Sequence, residues 1–266
     1  MPLLSDITLG QYFAADSFVH RLDPRTKLIT TFALMIVLMA IHQWVGFVII
    51  GVFLSTILVI SQIPIGIILR NLRPFLWLFI LTIGIHGLLS QNNDTWTIPY
   101  IHLSFSTTGL LQGLIYSLRL ASFIFIAALL TLTTSPVEIT DALETMLAPL
   151  QRFRVPIHEI VMMMTLAMRF IPTLMDEADK LRKAQLSRGV SFNGSIKQRV
   201  QHIIPLVIPL FVSVFRRADE LALAMDSRCY TGGHGRTRYR ALRMKAVDYI
   251  VMVGVIFISA PLGVFL

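Results

Sequence analysis

The sequence predicts an all-α integral membrane protein with about five transmembrane helices and a cytoplasmic coupling domain of about three amphipathic helices. Three observations support this fold class. Of the 266 residues, 55% are hydrophobic and only 14% are charged, which is too little charge to cover a soluble protein of this length. Several apolar segments approach or exceed the roughly 17 to 20 residues that a helix needs to cross a bilayer. The long region before the last of these segments is too apolar for an ordinary loop in water.

Five segments are the candidate spans, at 28–42, 44–62, 74–90, 110–134 and 246–265. The connections next to these spans differ in basic residues. The N-terminal segment, the short connection after the second span and the long region before the fifth are rich in Lys and Arg, whereas the other two connections contain neither. The positive-inside rule therefore predicts a cytoplasmic N-terminus and a C-terminus outside.

The same assignment divides the chain into four parts. Residues 1–27 form a cytoplasmic N-terminal segment, 28–134 the first four transmembrane helices, 135–245 the cytoplasmic coupling domain and 246–266 the fifth transmembrane helix. The connection at 63–73 is predicted to be a cytoplasmic loop. Because the net charge of +8 follows this topology, the expected contact is the lipid bilayer, and no nucleic acid is expected as a partner.

Two stretches forty residues apart, 177–190 and 217–230, resemble each other. Each is a run of helix-forming residues that ends in Ser-Arg followed by Gly or Cys. Six positions are shared at this single offset: Ala178/Ala218, Asp179/Asp219, Leu181/Leu221, Ala184/Ala224, Ser187/Ser227 and Arg188/Arg228. A lone Arg at a helix C-terminus is usually explained by the helix dipole. Two equivalent Arg residues that end two copies predict instead a pair of contacts with a pair of partner grooves.

The coupling domain is predicted to contain three helices, at 137–150, 156–187 and 196–227. Ser135 and Glu138 match a capping box that opens the first of them. The run 203–215 in the third helix is apolar but broken by prolines, so we interpret it as partly embedded or packed in protein and not as a span. A methionine cluster in the second helix predicts either core packing or an adaptable partner surface: Met162, Met163, Met164, Met168 and Met175.

The polar residues of the membrane region do not form a catalytic pattern. Arg119 in the fourth span has no Asp or Glu within the first four spans to pair with it, which predicts snorkelling or a bond to a backbone carbonyl. Asp23 before Pro24 predicts a capped helix start. One cysteine excludes an internal disulfide and a cysteine metal cluster, and no metal site is expected. No phosphate loop or nucleophile motif is present, so the chain is not expected to be an enzyme.

The string at 20–27, His-Arg-Leu-Asp-Pro-Arg-Thr-Lys, together with the two Arg-centred tripeptides resembles the transmembrane (T) component of energy-coupling factor transporters. This family is a branch of the ATP-binding-cassette (ABC) transporters of prokaryotic plasma membranes that takes up vitamins and transition metals. The resemblance covers essentially all of 11–265. It implies a membrane bundle with long cytoplasmic coupling helices, and two Ala-Arg-Gly-like motifs that contact two ATPase subunits.

The resemblance assigns ATPase coupling to Ser187, Arg188 and Gly189 and to the second motif, Ser227-Arg228-Cys229. Both motifs have Ser where the family has Ala, and the second has Cys where it has Gly. The implied partners are two ABC ATPases, expected as a heterodimer, which bind ATP and magnesium, and one or more membrane substrate-binding (S) components. This chain is expected to bind no cofactor. The methionine cluster is the expected S-component contact and slightly favours a module shared among several vitamin-binding subunits.

Four alternatives remain at this point. A stand-alone secondary carrier predicts repeats among the spans and polar groups at mid-membrane, whereas the repeat found here lies in the coupling domain. A membrane enzyme predicts clustered catalytic groups. A conventional ABC permease would bind the substrate itself. A dedicated cobalt or nickel importer of the same family would serve one substrate only.

Overall fold

The structure is a computed structural model that describes residues 12–13, 15–41, 43–89, 95–98, 103–190, 195–232, 242 and 244–265, with side chains omitted at 95–98, 103–105, 196–200 and 258–265. Nine α-helices lie within these described ranges. Their bounds are α1 Pro24–Ala40, α2 Trp44–Ser61, α3 Ile65–Leu72, α4 Leu76–Leu89, α5 Thr107–Thr133, α6 Pro136–Leu147, α7 Ile157–Ser187, α8 Ile196–Asp226 and α9 Ala246–Phe265.

The helical membrane fold predicted from the sequence is confirmed, with two local differences. The connection at 63–73 is not a loop, because α3 occupies most of it and a 3₁₀ turn over Arg73–Phe75 continues into α4. This helix is amphipathic, with Ile68 buried and Arg70 exposed, and its eight residues are too few to be recognised as a span in the sequence. In the connection before α5, strands β1 (Thr95–Ile98) and β2 (Leu103–Ser106) form an antiparallel hairpin.

Four stretches among the described helices are long and apolar enough to cross a membrane. Three of them coincide with predicted spans: Trp44–Ser61, Ile65–Leu89 and Thr107–Thr133. The fourth is Ile157–Ser187, which the sequence placed in the coupling domain. The predicted first span corresponds to α1, which has 17 residues, and the fifth to α9, whose apolar part includes Ala246–Phe257.

The chain divides into two compact units. Of the described residues, those within 12–139 and 242–265 form one unit, and those within 140–232 form the other. In the first unit α1 packs against α5 and α9, and α4 packs along α5. Its core is aliphatic and is formed by residues with at most 7% of their surface exposed: Leu38, Ile41, Ile50, Leu54, Ile68, Ile126, Leu129 and Leu132. On the outside, Val59, Trp77 and Ile80 are more than 60% exposed, as expected of side chains that face lipid.

Gly113 allows α4 and α5 to pack closely. A Cβ atom at this position would lie 2.8 Å from the Cα of Ile83 and 3.2 Å from the Cβ of His86. Real Cβ atoms do not approach a backbone atom so closely, so any larger residue would push the two helices apart. The ring of His86 packs against Tyr116 on α5, and its Nδ1 lies 2.9 Å from the carbonyl oxygen of Thr82, so His86 is used within the bundle.

In the second unit α7 and α8 are continuous helices of 31 residues each, despite Pro172 in α7 and two prolines in α8. In the first unit, the start of α6 is the predicted capping box. The backbone N–H of Glu138 donates to the Ser135 hydroxyl, and the backbone N–H of Ser135 donates to the Glu138 carboxylate. Asp23 likewise caps α1 by accepting a hydrogen bond from the backbone N–H of Arg25. The helix starts read from the sequence therefore follow local capping chemistry.

Candidate coupling site

Both Arg-centred tripeptides lie at helix C-termini and have the same backbone geometry. At the end of α7, the N–H of Gly189 donates to the carbonyl of Leu186, and the N–H of Val190 donates to that of Gln185. This pair of bonds is a Schellman motif, in which the residue after the C-cap adopts a left-handed conformation. Gly189 has the required positive φ of 85°.

The end of α8 repeats this geometry at an offset of forty residues. The N–H of Cys229 donates to the carbonyl of Asp226, and the N–H of Tyr230 donates to that of Met225. Cys229 has a φ of 55°, so it takes the left-handed position that Gly189 takes in the first motif. The substitution of Cys for Gly therefore leaves the backbone of the second motif unchanged, although a residue with a Cβ atom is strained there.

The side chains of the two motifs are also presented alike. Ser187 donates a hydrogen bond to the carbonyl of Lys183, and Ser227 donates to that of Ala224, so both hydroxyls bond back to the preceding turn. All six motif residues are exposed: Ser187, Arg188, Gly189, Ser227, Arg228 and Cys229. Within the described part of the chain, no carboxylate lies within ion-pair distance of Arg188 or Arg228. Both guanidinium groups are thus available to an acidic partner.

A contact that the sequence reasoning missed lies where α7 and α8 meet. Nη2 of Arg217 donates to Oε2 of Glu177 at 2.9 Å. These two residues are the first members of the two repeated stretches, so equivalent positions of the repeat contact each other. The offset of forty residues was the available signal, but spacing alone does not show that the two copies touch.

The Glu177–Arg217 pair provides a reference point for the separation of the two motifs along α7 and α8. Other side chains from the two helices line a shared cavity of about 300 Å³, with Met163 and Leu174 from α7, and Val214 and Met225 from α8. Each motif lies 11 residues beyond its member of the Glu177–Arg217 pair, about 17 Å along a helix. The path from one motif to the other along the two helices, through this pair, is therefore about 33 Å.

The methionine cluster of α7 does not form one uniform surface. Met163 and Met164 are exposed, with Met163 bordering the cavity against α8. Met162, Met168 and Met175 are partly buried, and the sulfur of Met162 accepts a hydrogen bond within the unit. Contact of all five with an S component stays a prediction. The middle of α8 also has an exposed apolar surface, in which Ile208, Phe211 and Phe215 each expose more than half of their area.

In the other unit, the string at 20–27 forms a buried polar network. Lys27 is only 5% exposed, and its ammonium donates to the carbonyl oxygens of His20 and Thr133. The buried carboxylate of Asp248 accepts hydrogen bonds from the backbone N–H groups of Asp23 and Lys245. The string therefore joins the starts of α1 and α9 to the end of α5. An acidic residue in the first turn of an apolar helix was the signal that the sequence offered for Asp248.

Next to this network, burial lowers the pKa of His20 below its ordinary value of 6.5, and the nearby charge of Lys27 lowers the pKa further. Nε2 of the imidazole lies 3.0 Å from the carbonyl oxygen of Phe13, and Nδ1 lies 2.7 Å from the Ser17 hydroxyl. A carbonyl only accepts, so Nε2 carries the proton in the neutral ring and Nδ1 accepts from Ser17. The network accordingly holds a neutral His20.

The arginine of the predicted fourth span is also accounted for. Arg119 on α5 donates to the carbonyl oxygen of Ile41, the C-cap residue of α1, which confirms the predicted bond to a backbone carbonyl. Its guanidinium also lies 5.4 Å from the centre of the Tyr116 ring and 5.9 Å from that of Phe47. The guanidinium group of α5 therefore contacts the end of α1 and the start of α2 within the bundle.

The sequence is similar to a family model and to named relatives. A sequence model of the CbiQ family, described as a cobalt transport protein, matches residues 15–239. A relative from Heliobacterium modesticaldum is 47% identical over 95% of each chain. Relatives from Ruminiclostridium cellulolyticum and Bacillus subtilis are 43% and 41% identical, over at least 96% of each chain. All three bear the name energy-coupling factor transporter transmembrane protein EcfT.

Proposed function

The chain belongs to the family of energy-coupling factor transporter transmembrane proteins, and on this premise we propose that it transmits ATP-driven motion of two ATPase subunits to a membrane-embedded S component. The observation that carries the proposal is the pair of helix ends with the same backbone geometry, each presenting an exposed arginine without an ion-pair partner in the described part of the chain. Membership makes the protein a multi-pass membrane subunit of a transporter. The partners and the mechanism are proposed.

Each arginine enters a groove on one ATPase subunit and binds acidic groups there. Arginine suits this role because its planar guanidinium forms two parallel hydrogen bonds to a carboxylate. Exposure of Arg188 and Arg228 keeps both available, and the Schellman geometry fixes the direction in which each side chain leaves its helix. The ATPases bind ATP with magnesium and hydrolyse it, and this chain is a non-catalytic subunit.

The crossing at Glu177 and Arg217 turns motion of the motifs into motion of α7 and α8. When the ATPases close or open, the two Arg ends move together or apart, and the helices change their angle about the crossing. The exposed apolar side chains on these helices, including Phe211 and Phe215, then move the S component that packs against them. In this proposal the N-terminus and the coupling domain at 135–245 lie on the cytoplasmic side of the membrane, and the C-terminus lies outside.

A paired charge reversal tests this mechanism. In the complex purified in mild detergent, Arg188→Glu with Arg228→Glu is expected to abolish binding of both ATPases and to retain the S component, because the carboxylates repel the acidic grooves. The matched control is Lys183→Glu with Arg216→Glu, which makes the same charge change at exposed residues of the same helices outside the motifs. ATPase binding that survives the paired reversal would contradict the proposal.

The substrate is a vitamin or another micronutrient that the S component, and not this chain, recognises. A second candidate, a dedicated cobalt or nickel importer, is favoured by the match to a family described as a cobalt transport protein. Isolation of the tagged chain from its native membrane, with its companions identified by mass spectrometry, separates the two. Several small membrane proteins indicate a shared module, and one indicates a dedicated module. Transport by the purified chain alone in liposomes would instead support a secondary carrier.

A further inference from the structure

The residue that follows the second motif is held by a side-chain network. The hydroxyl of Tyr230 lies 2.9 Å from the sulfur of Met162 and 3.5 Å from Nε2 of His158. On the other side of that imidazole, Nδ1 lies 3.0 Å from Oε1 of Glu144. All four residues lie in the same compact unit. The network thus connects the end of α8 to the first two turns of α7 and to α6.

The donors and acceptors of this network are compatible along its length. The carboxylate of Glu144 can only accept, so Nδ1 of His158 donates to it and carries a proton. With the ring proton on Nδ1, Nε2 is an acceptor, so the single proton of the Tyr230 hydroxyl is donated either to the sulfur of Met162 at 2.9 Å or to Nε2 at 3.5 Å. The side chains of these residues are partly buried, where such bonds are protected from competing water.

Tyr230 is also held through its backbone. Its N–H donates to the carbonyl of Met225 as the last bond of the Schellman motif, so Arg228 lies within a turn that is fixed to α8 on one side and to α7 through the Tyr230 ring on the other. The equivalent residue in the first motif is Val190, whose N–H bonds to Gln185 but whose side chain has no polar group. The two motifs therefore have the same backbone geometry but differ in the side-chain hydrogen bonds of the residue that follows them.

We infer that Tyr230 is a positioning residue for Arg228, acting through Met162, His158 and Glu144, and that this support makes the second motif the more rigid of the two ATPase contacts. The inference rests on the proposed coupling function, in which Arg228 binds one ATPase. In this inference the sulfur of Met162 serves the network inside the unit. The two ATPases consequently meet two mechanically different contacts, although the helix ends have the same geometry.

The sole cysteine of the chain provides the test, because Cys229 is exposed and lies between Arg228 and Tyr230. A nitroxide label on Cys229 in the full chain reports the mobility of the second motif by electron paramagnetic resonance. The double variant Gly189→Cys with Cys229→Gly moves the same label to the first motif. Tyr230→Phe removes only the hydroxyl, and Tyr249→Phe is the matched control at an exposed tyrosine.

The label at Cys229 is expected to be the more immobilised of the two, and Tyr230→Phe should make it more mobile without affecting a label at 189. Loss of a hydrogen bond of ordinary strength should weaken ATPase binding about threefold to tenfold. Equal mobility at the two motifs, or no response to Tyr230→Phe, would overturn the inference. Failure of the coupling function is distinguishable, since Arg228→Glu would then leave ATPase binding intact whatever the mobility of the label.

Discussion

The contact between Glu177 and Arg217 provides a sharp test of the crossing of α7 and α8. Reversing either charge alone places two like charges at the crossing, whereas the swap Glu177→Arg with Arg217→Glu restores an attractive pair. If the two helices cross at these equivalent positions, the swap should regain most of what either single reversal loses. The repeat makes this swap conservative, because it exchanges two residues at matching places in two similar helices.

The expected size of this coupling follows from the burial of the pair. A hydrogen bond between charged groups contributes about 1.5 to 3 kcal/mol when it is protected from water. The side chain of Arg217 is 38% exposed and that of Glu177 is 26% exposed, so solvent screens much of this interaction. Exposed pairs contribute about 0.2 to 1 kcal/mol, and we expect a coupling free energy of about 1 kcal/mol at the upper end of that range.

A double-mutant cycle measures this coupling. The free energy of unfolding in mixed micelles and the rate of ATP-driven uptake by the full complex are compared for the parent chain, the two single reversals and the swap. Arg216→Glu is the control, since it makes the same change at the neighbouring exposed residue. Stability and uptake should fall in the singles and recover in the swap. A swap as impaired as the sum of the two singles would refute the crossing at this pair.

Three other changes test particular sites. Cys229→Gly should raise the free energy of unfolding by about 0.5 to 1 kcal/mol, because glycine adopts the positive φ without strain; denaturation of the purified chain measures it, and a loss of stability would contradict the strained cap. The pKa of His20 is lower in the folded chain than in the unfolded chain, mainly because the ring is buried, so folding favours the neutral ring. Its contribution to the free energy of unfolding is complete above pH 6.5 and is lost as the pH falls through the lowered pKa. Thermal unfolding from pH 7.5 to 5 should show this loss, and His20→Gln should reduce it. Arg119→Ala should cost about 1 to 3 kcal/mol by leaving the carbonyl of Ile41 unpaired, with Arg119→Lys milder, as measured by unfolding in detergent; equal losses would argue against that bond.

Many helix limits could be predicted from the sequence because they depend on residues that are close together in the chain. The expected coupling helices at 156–187 and 196–227 match α7 and α8 to within one residue at each end. Helix-forming sequence on both sides of the internal prolines and the turn after each Ser-Arg motif determine these limits. The capping box at Ser135 and Glu138 was predicted for the same reason, since both of its hydrogen bonds lie within four residues.

Other elements depend on contacts that a local pattern does not contain. Helix α3 was expected to be a loop because its eight residues are too few to form a span, and Ile68 is buried by neighbours that are distant in sequence. The buried position of Lys27 depends on the carbonyl of Thr133, more than one hundred residues away. A lysine before a span is read as a basic residue at the membrane surface, and only its partners show that it is part of the interior.

In the candidate coupling site, too, some features follow from local sequence and others from contacts between distant residues. The amino-acid order alone determined that two similar helices end in Ser-Arg, because helix propensity and C-terminal capping act within a few residues along the chain. It did not determine that the Cys229 turn takes the geometry of the Gly189 turn, since cysteine does not favour a left-handed backbone. Only the tertiary structure decided that Glu177 contacts Arg217 and that Tyr230 reaches His158 and Met162. Contacts between distant segments arise from packing, and packing specifies which of many compatible donors and acceptors meet.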